Sequence, residues 1–307
     1  MTRTLTADQP TAVAGRYTAS ILRLHERLHY PGLLEAVRGE PLHHHDHGDG
    51  LVTLAVRDSQ LPLRYLRGIL GFRLAQYLRL GWICPSLVQR AALFHEPFRP
   101  AHGVEDVHIV TLSAESGRIL GYVGLSGSYD PEPLPLDAPG RPRLATELAH
   151  RIDLLGPYAA PELHTHHAFE VKRFLRDQSM PPGALASLVP WHIVLGFGRS
   201  LLALGGPQRR MLAVGDAKEE VAIRHLTLMG LDLTVVDGTS PSLPRSELMW
   251  PIYEQDTIAK PFVGRLPEGF RADMDTIETY LTEARGTRNA HALVEQLARR
   301  RKEATQP

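Results

Sequence analysis

The sequence predicts an α/β fold, a mixed β-sheet flanked by helices, with extra helical segments at both ends. Three observations carry this reading. From residue 51 onward, short β-rich runs alternate with helical patterns, as in a sheet covered by helices. VHIVTLSA (107–114) and ILGYVGLSG (119–127), joined by ESGR, read as a β-hairpin, which makes the sheet mixed rather than purely parallel. The apolar stretch 184–204 follows a strand and stops at Gly205-Gly206, a helix-stop pair.

In chain order, Ile21, Leu22, Leu24, Leu28, Leu33, Leu34 and Val37 recur at helical spacing, with an interruption near Pro31-Gly32. HHHDHGDG (43–50) reads as a polar loop and LVTLAV (51–56) as a strand. Residues 63–82 form a helix on which Arg64, Arg67, Arg73 and Arg79 mark one face, and a short helix covers 86–93. After the hairpin comes a loop with prolines at 131, 133, 135, 139 and 142, long enough for a lid, then a short helix at 144–155. LHTHHAFEVKRFLR (163–176) is the next strand, and Pro190 kinks or divides the helix that follows it. A strand (209–216), an amphipathic helix (217–230) and a strand (231–238) follow, with 249–255 a further strand candidate and 272–302 helical. The expected units are an N-terminal helical extension (1–50), a core (51–255) and a C-terminal helical tail (256–307).

Of 307 residues, 43% are apolar and 22% charged, the balance of a globular chain. Lys plus Arg equals Asp plus Glu, at 34 each, so no net charge draws nucleic acid or an anionic membrane. Cys84 is the single cysteine, which excludes an intrachain disulfide. The start MTRTLTADQPTAVAG lacks the apolar core of a secretory signal. No uninterrupted run of about 18 apolar residues indicates a membrane span. A cytoplasmic protein is the expectation.

Three stretches carry a resemblance. AVGDAKEEVAIRHLTLMGLDLTVVD has the strand, helix and strand that close the GNAT acyltransferase fold, with a glycine ending the helix. Phe169-Glu170-Val171-Lys172-Arg173-Phe174 is similar to the strand of acyl-homoserine-lactone synthases and N-acyl amino acid synthases, which carry Glu, two residues, Arg and Phe. EDVHIVTLSAESGRILGYVGLSG resembles their hairpin with an acidic start, and the likeness covers roughly residues 51–240. It implies a GNAT-like core and an N-acyltransferase moving an acyl group from an acyl-carrier-protein or acyl-CoA thioester to an amine, either an amino acid or a small amine. The acyl thioester, on phosphopantetheine or CoA, is then the donor substrate. No tightly bound cofactor or metal is implied, and an acyl carrier protein is a possible partner. Two departures stand against an ordinary acetyl-CoA enzyme. Where such enzymes hold the pyrophosphate on backbone N–H groups, this chain has RDQSMPPGAL, and Pro181 and Pro182 lack two of the donors. Leu226 stands where many relatives place a tyrosine acid four residues before the helix-ending Gly230.

Acyl transfer to an amine requires loss of an ammonium proton, polarisation of the thioester carbonyl and an extended donor beside the nucleophile. Glu170 alternates with Phe169 and Val171 and projects to the opposite sheet face, as a base, an anchor for the ammonium, or a structural partner of Arg173. Arg173 suits a substrate carboxylate, or a brace to Glu105 and Asp106 at the hairpin start. Val171 and Lys172 would flank the donor through their main chain. Asp106 and His108 fall near the acceptor, and Phe174 and Trp191 are candidate substrate contacts. His164 and His166 share a strand face with Glu170, and with His167 they are candidates for proton handling or substrate contact. HHHDH (43–47) offers metal-ligand chemistry, but consecutive residues cannot all face one ion, and a solvated loop is the competing reading. Leu185, Leu188, Trp191, Ile193, Leu195 and Phe197, with Gly196 and Gly198 leaving space, are candidate walls of an acyl tunnel.

Overall fold

The computed structural model describes residues 12–97, 104–206, 210–217, 229–254 and 259–283, together with 223, 226, 227, 297 and 299. The chain runs through α1 (Ala12–Glu26), β1 (His43–Asp46), β2 (Leu51–Arg57), α2 (Leu63–Leu80), α3 (Pro85–Arg90), β3 (Val104–Ser113) and β4 (Ile119–Ser128). It continues through α4 (Ala145–His150), β5 (Ala168–Arg176), α5 (Ala184–Gly205), β6 (Leu212–Ala217), β7 (Asp232–Val235), β8 (Lys260–Arg265) and α6 (Phe270–Glu283). These strands make an eight-stranded mixed sheet in the order β1-β2-β3-β4-β5-β6-β8-β7. Among the described residues only β5 and β6 pair in parallel, and α5 is the crossover that parallel pairing demands.

Helices cover both faces, which is why β2 and β4 read as nearly continuous apolar runs rather than alternating ones. On one face, Ile193, Phe197 and Leu201 of α5 pack with Leu51, Ile109, Val123 and Phe169 of the sheet and with Phe270 and Met274 of α6. On the other, Ile69, Phe72 and Tyr77 of α2 pack with Leu54, Val110, Tyr122 and Leu175. A third cluster joins Leu136, Leu154 and Leu155 of the proline-rich insertion to Leu212, Val214 and Val263. α5 is long and apolar enough to cross a bilayer, yet 67% of its most apolar window is buried inside the fold.

Several expectations change. HHHDH is not a loop: His43–Asp46 pairs antiparallel with β2 as an edge strand, because its alternate residues find cover on the α5 face. The strand expected from 163 begins at Ala168. Thr165–His167 forms a 3-10 turn, since the insertion captures Thr165, whose N–H donates to the Leu134 carbonyl at 2.8 Å and whose hydroxyl accepts from the Leu134 N–H at 3.2 Å. Residues Trp250–Glu254 form a 3-10 turn rather than a strand. The strand lies at Lys260–Arg265, in the segment expected to be a helical tail, and it inserts between β6 and β7. Arg73 leaves the expected arginine face of α2 and is 4% exposed, bonded to Tyr77 and Tyr122 and ion-paired with Glu96. Pro190 does not divide α5, and the carbonyl of Ala186 that its ring leaves without a donor accepts from Arg176 at 3.5 Å. Most of the expected helix 217–230 and the end of the 272–302 helix lie outside the described residues.

Candidate active site

β5 positions the site by an irregularity. Gly124 pairs with Lys172 and Tyr122 with Leu175, so three steps on β5 oppose two on β4. The extra residue is a β-bulge, and Arg173 sits in it with φ +62°, a conformation that costs a side-chain-bearing residue roughly 1–2 kcal/mol. On the other side, the parallel register with β6 ends at Glu170 opposite Val214. Beyond that pair a cavity of about 650 Å³ opens, with Glu170, Lys172, Arg173, Asp216 and Tyr253 on its polar wall. Its apolar wall includes Leu87 and Leu93, around α3, and Leu248, Met249 and Ile252.

Glu170 is 4% exposed. Its Oε1 accepts from the Thr146 N–H at 2.6 Å and from the Thr146 hydroxyl at 2.8 Å, while Oε2 lies 3.8 Å from Lys172 Nζ. One carboxylate oxygen is thus fixed by α4 and the other faces a cation beside the cavity. α4 is itself held by Arg141, whose guanidinium bridges Glu147 and Asp153 at 2.5–2.7 Å inside the insertion. Across the cavity, Asp216 Oδ2 accepts from the Tyr253 hydroxyl at 2.6 Å and lies 3.2 Å from His150 Nε2. His150 Nδ1 meets Thr239 Oγ1 at 2.8 Å. Burial, and then the Asp216 carboxylate, push the Tyr253 phenol well above its ordinary pKa, so it remains a protonated donor.

Arg173 does not brace the hairpin. Glu105 is held instead by Arg57 at 2.8 Å and by Ser59 at 2.5 Å, and Asp106 has Lys172 Nζ at 3.8 Å. The guanidinium of Arg173 lies over the Tyr77 ring, 5.6 Å from its centroid, and its Nε has no hydrogen-bond partner among the described residues. Burial alone would lower its pKa, but the fields of Tyr77 and Glu96 raise it, so the group stays charged. An uncommitted N–H on a charged group beside a cavity suits an anionic ligand.

The other expected site residues divide. Val171 and Lys172 border the cavity with Glu170 and Arg173. His108 does not reach it: the ring is 1% exposed and spans Asp58 at 2.6 Å and Tyr122 at 3.0 Å. Asp106 stands behind Lys172, and although burial would raise its pKa, Lys172 and the Ser126 hydroxyl hold it below the usual range. His164, His166 and His167 stack on one another in the turn before β5 and do not line the cavity. Phe174 and Trp191 pack against the α5-side core. Gly196 and Gly198 leave no space for an acyl tunnel among the described residues: a Cβ on Gly198 would lie 2.0 Å from Met274 Sδ, and one on Gly196 2.4 Å from Thr53 Cγ2. Those glycines admit neighbours rather than a ligand. Sequence reading missed Thr146, His150, Asp216 and Tyr253, and the one local signal was Gly215-Asp216 ending an apolar strand. Among the described residues, no group of three His, Cys, Asp or Glu stands ready to hold a metal.

No family model matches the chain, and no curated protein matches it.

Proposed function

We propose that the protein is an N-acyltransferase with a GNAT-like core, moving an acyl group from a carrier-protein or CoA thioester to a small amine. The observation that carries this reading is the parallel β5–β6 pair, which ends at Glu170 and Val214 beside the bulge and opens onto the cavity. A parted strand pair offers main-chain donors along its inner edge, where an extended pantetheine arm finds hydrogen bonds and a developing oxyanion finds N–H groups.

In this reading the donor lies along the inner edge of β5 at Val171 and Lys172. Glu170 accepts a proton from the acceptor ammonium, the freed amine attacks the thioester carbonyl carbon, and the C–N bond forms as an oxyanion develops. The amide nitrogen gives up its second proton as collapse breaks the C–S bond, the released thiolate takes up one proton, and the proton held by Glu170 passes to solvent. Tyr253 has its one hydroxyl proton committed to Asp216, so its role in this reading is to hold that carboxylate beside His150 rather than to protonate the thiolate. Arg173 receives an anionic group of a substrate. The apolar wall at Leu248, Met249 and Ile252 suits a hydrocarbon portion, each buried CH₂ contributing about 0.8 kcal/mol. Pro181 and Pro182, just ahead of α5, favour a carrier-protein donor over free CoA.

The test incubates the purified chain with acyl-CoA and acyl-carrier-protein donors of graded length and a panel of amines, with mass-spectrometric detection of N-acyl products. Glu170→Gln is expected to lower turnover about 10²–10⁴-fold while the protein stays folded. Absence of product from both donor classes, or full activity in Glu170→Gln, removes this reading.

A further inference from the structure

The cavity wall carries a primary amine of its own. Among the described residues that line it, the cationic side chains are Lys172 and Arg173, and a guanidinium does not give up its proton to become a nucleophile. Lys172 and Glu170 stand two apart on β5 and share a sheet face. Lys172 Nζ lies 3.8 Å from Glu170 Oε2 and 3.8 Å from Asp106 Oδ1. Both separations exceed the about 2.7–2.9 Å of a charge-assisted hydrogen bond. The ammonium is therefore placed between two carboxylates without being locked onto either, unlike Arg141, which Glu147 and Asp153 fix at 2.5–2.7 Å.

The backbone at Lys172 lies where the acyl donor runs in the proposed reaction. β6 leaves β5 after the Glu170–Val214 pair, and the bulge begins beyond the Gly124–Lys172 pair. Val171 and Lys172 thus form a short stretch that is regular toward β4 and unpaired toward β6. A donor held along this edge brings its thioester within the sweep of a flexible four-carbon side chain. Well-oriented groups held in one site react as though present at about 10⁵–10⁸ M, so a tethered amine competes with any free acceptor.

We infer that Lys172 is a self-acylation site, which takes the acyl group when donor is bound and no acceptor amine fills the cavity. This rests on the acyl-transfer reading. The Lys172 ammonium passes one proton to Glu170, Nζ attacks the thioester carbonyl carbon, and the C–N bond forms. The nitrogen gives up its second proton as the C–S bond breaks, the released thiolate takes up one proton, and the other passes to solvent. The product is an amide, which does not return its acyl group to a thiol. It removes the cation that Glu170 and Asp106 share and places an acyl chain in the cavity. A surplus of donor over acceptor therefore silences the protein.

The chain supplies its own control, since it holds only four lysines, at 172, 218, 260 and 302. The Lys260 side chain is 33% exposed against 26% for Lys172, and it pairs with Asp237 at the sheet edge. Unselective chemistry would label Lys260 at least as fast as Lys172.

The full chain is incubated with octanoyl-CoA or an octanoylated carrier protein, without amine, and followed by intact mass and peptide mapping. One octanoyl group per chain is expected, at Lys172, at least about 10-fold faster than at Lys260. Glu170→Gln should slow the gain about 10²–10⁴-fold, and an amine added with the donor should protect Lys172. Lys172→Arg keeps the cation and lacks the amine, so it should gain no group. Wild-type chain preincubated with donor should lose N-acylation of added amines in step with its mass gain, whereas Lys172→Arg treated in the same way keeps its starting rate. N-acylation of an added amine by a chain whose Lys172 stays unmodified without amine overturns the inference and leaves the acyl-transfer reading standing. Equal labelling of Lys172 and Lys260 marks adventitious acylation and overturns it as well. Neither product nor label, with either donor, overturns both.

Discussion

Arg173 combines a left-handed backbone, a buried guanidinium and a place on the cavity wall. Strain of that kind persists where the surrounding structure over-determines a residue, and it collects at functional sites. Arg173→Gly and Arg173→Ala both lose the packing on Tyr77, but only the glycine variant relieves the backbone. The glycine variant is therefore expected to melt above the alanine variant, by an amount equivalent to roughly 1–2 kcal/mol, with acyl transfer lost in both. An alanine variant as stable as the glycine variant would remove the strain argument. Glu147 gives a second test at this scale. Burial would raise its pKa, but bonds from Arg141 and from the Leu144 and Leu154 amides hold it below 4.5. A carboxylate depressed in the folded state contributes stability that is present above its unfolded pKa and is lost as pH falls through the folded value. Glu147→Gln should destabilise the protein by about 3–5 kcal/mol at neutral pH, because it leaves Arg141 buried beside a neutral partner. It should also flatten the acid limb of the melting-temperature profile below pH 4.5. An unchanged acid limb would place the sensitivity elsewhere.

At the scale of elements, α5 is a structural helix. Its glycines read from sequence as room for an acyl chain, yet Met274 of α6 fills the space at Gly198, and Thr53 and Ile109 fill that at Gly196. Gly198→Ala should cost about 1–3 kcal/mol by overpacking, visible as a lower melting temperature, and leave the acyl-length profile unchanged. A shift toward shorter donors in a folded variant would restore the tunnel along α5. The proline-rich insertion has a structural role as well, since it seats α4 so that Thr146 can hold Glu170.

For the whole molecule, β8 decides whether the sheet is complete. It pairs with β6 over six residues and with β7 over four, so the last strands depend on residues 260–265. A chain cut after residue 255 leaves the β6 edge unpaired and exposes Val214 and Ala213, a template for association with other chains. Such a chain is expected to aggregate rather than to fold as a smaller core. A soluble monomer with a cooperative melt would show that the core ends before β8.

By itself the sequence determined what local periodicity encodes. The hairpin, α2, α5 and the alternation that turns Glu170 away from Phe169 and Val171 were all legible, since each depends on neighbours within a few residues. The bulge at Arg173 was not, because it exists only in the register between β4 and β5. The strand at 260–265 was hidden because KPFVGR is short, and β6 and β7, the neighbours that complete it, lie at least 25 residues away in the chain. Asp216, Tyr253 and the α4 residues Thr146 and His150 come from three separate segments, and only folding brings them to one cavity and its rim. Tertiary structure also reassigned the histidines, sealing His108 between Asp58 and Tyr122 and aligning His43, His45 and His47 against His192. A side chain's chemistry is written in the sequence, but its partners are set by which distant segments the sheet holds side by side.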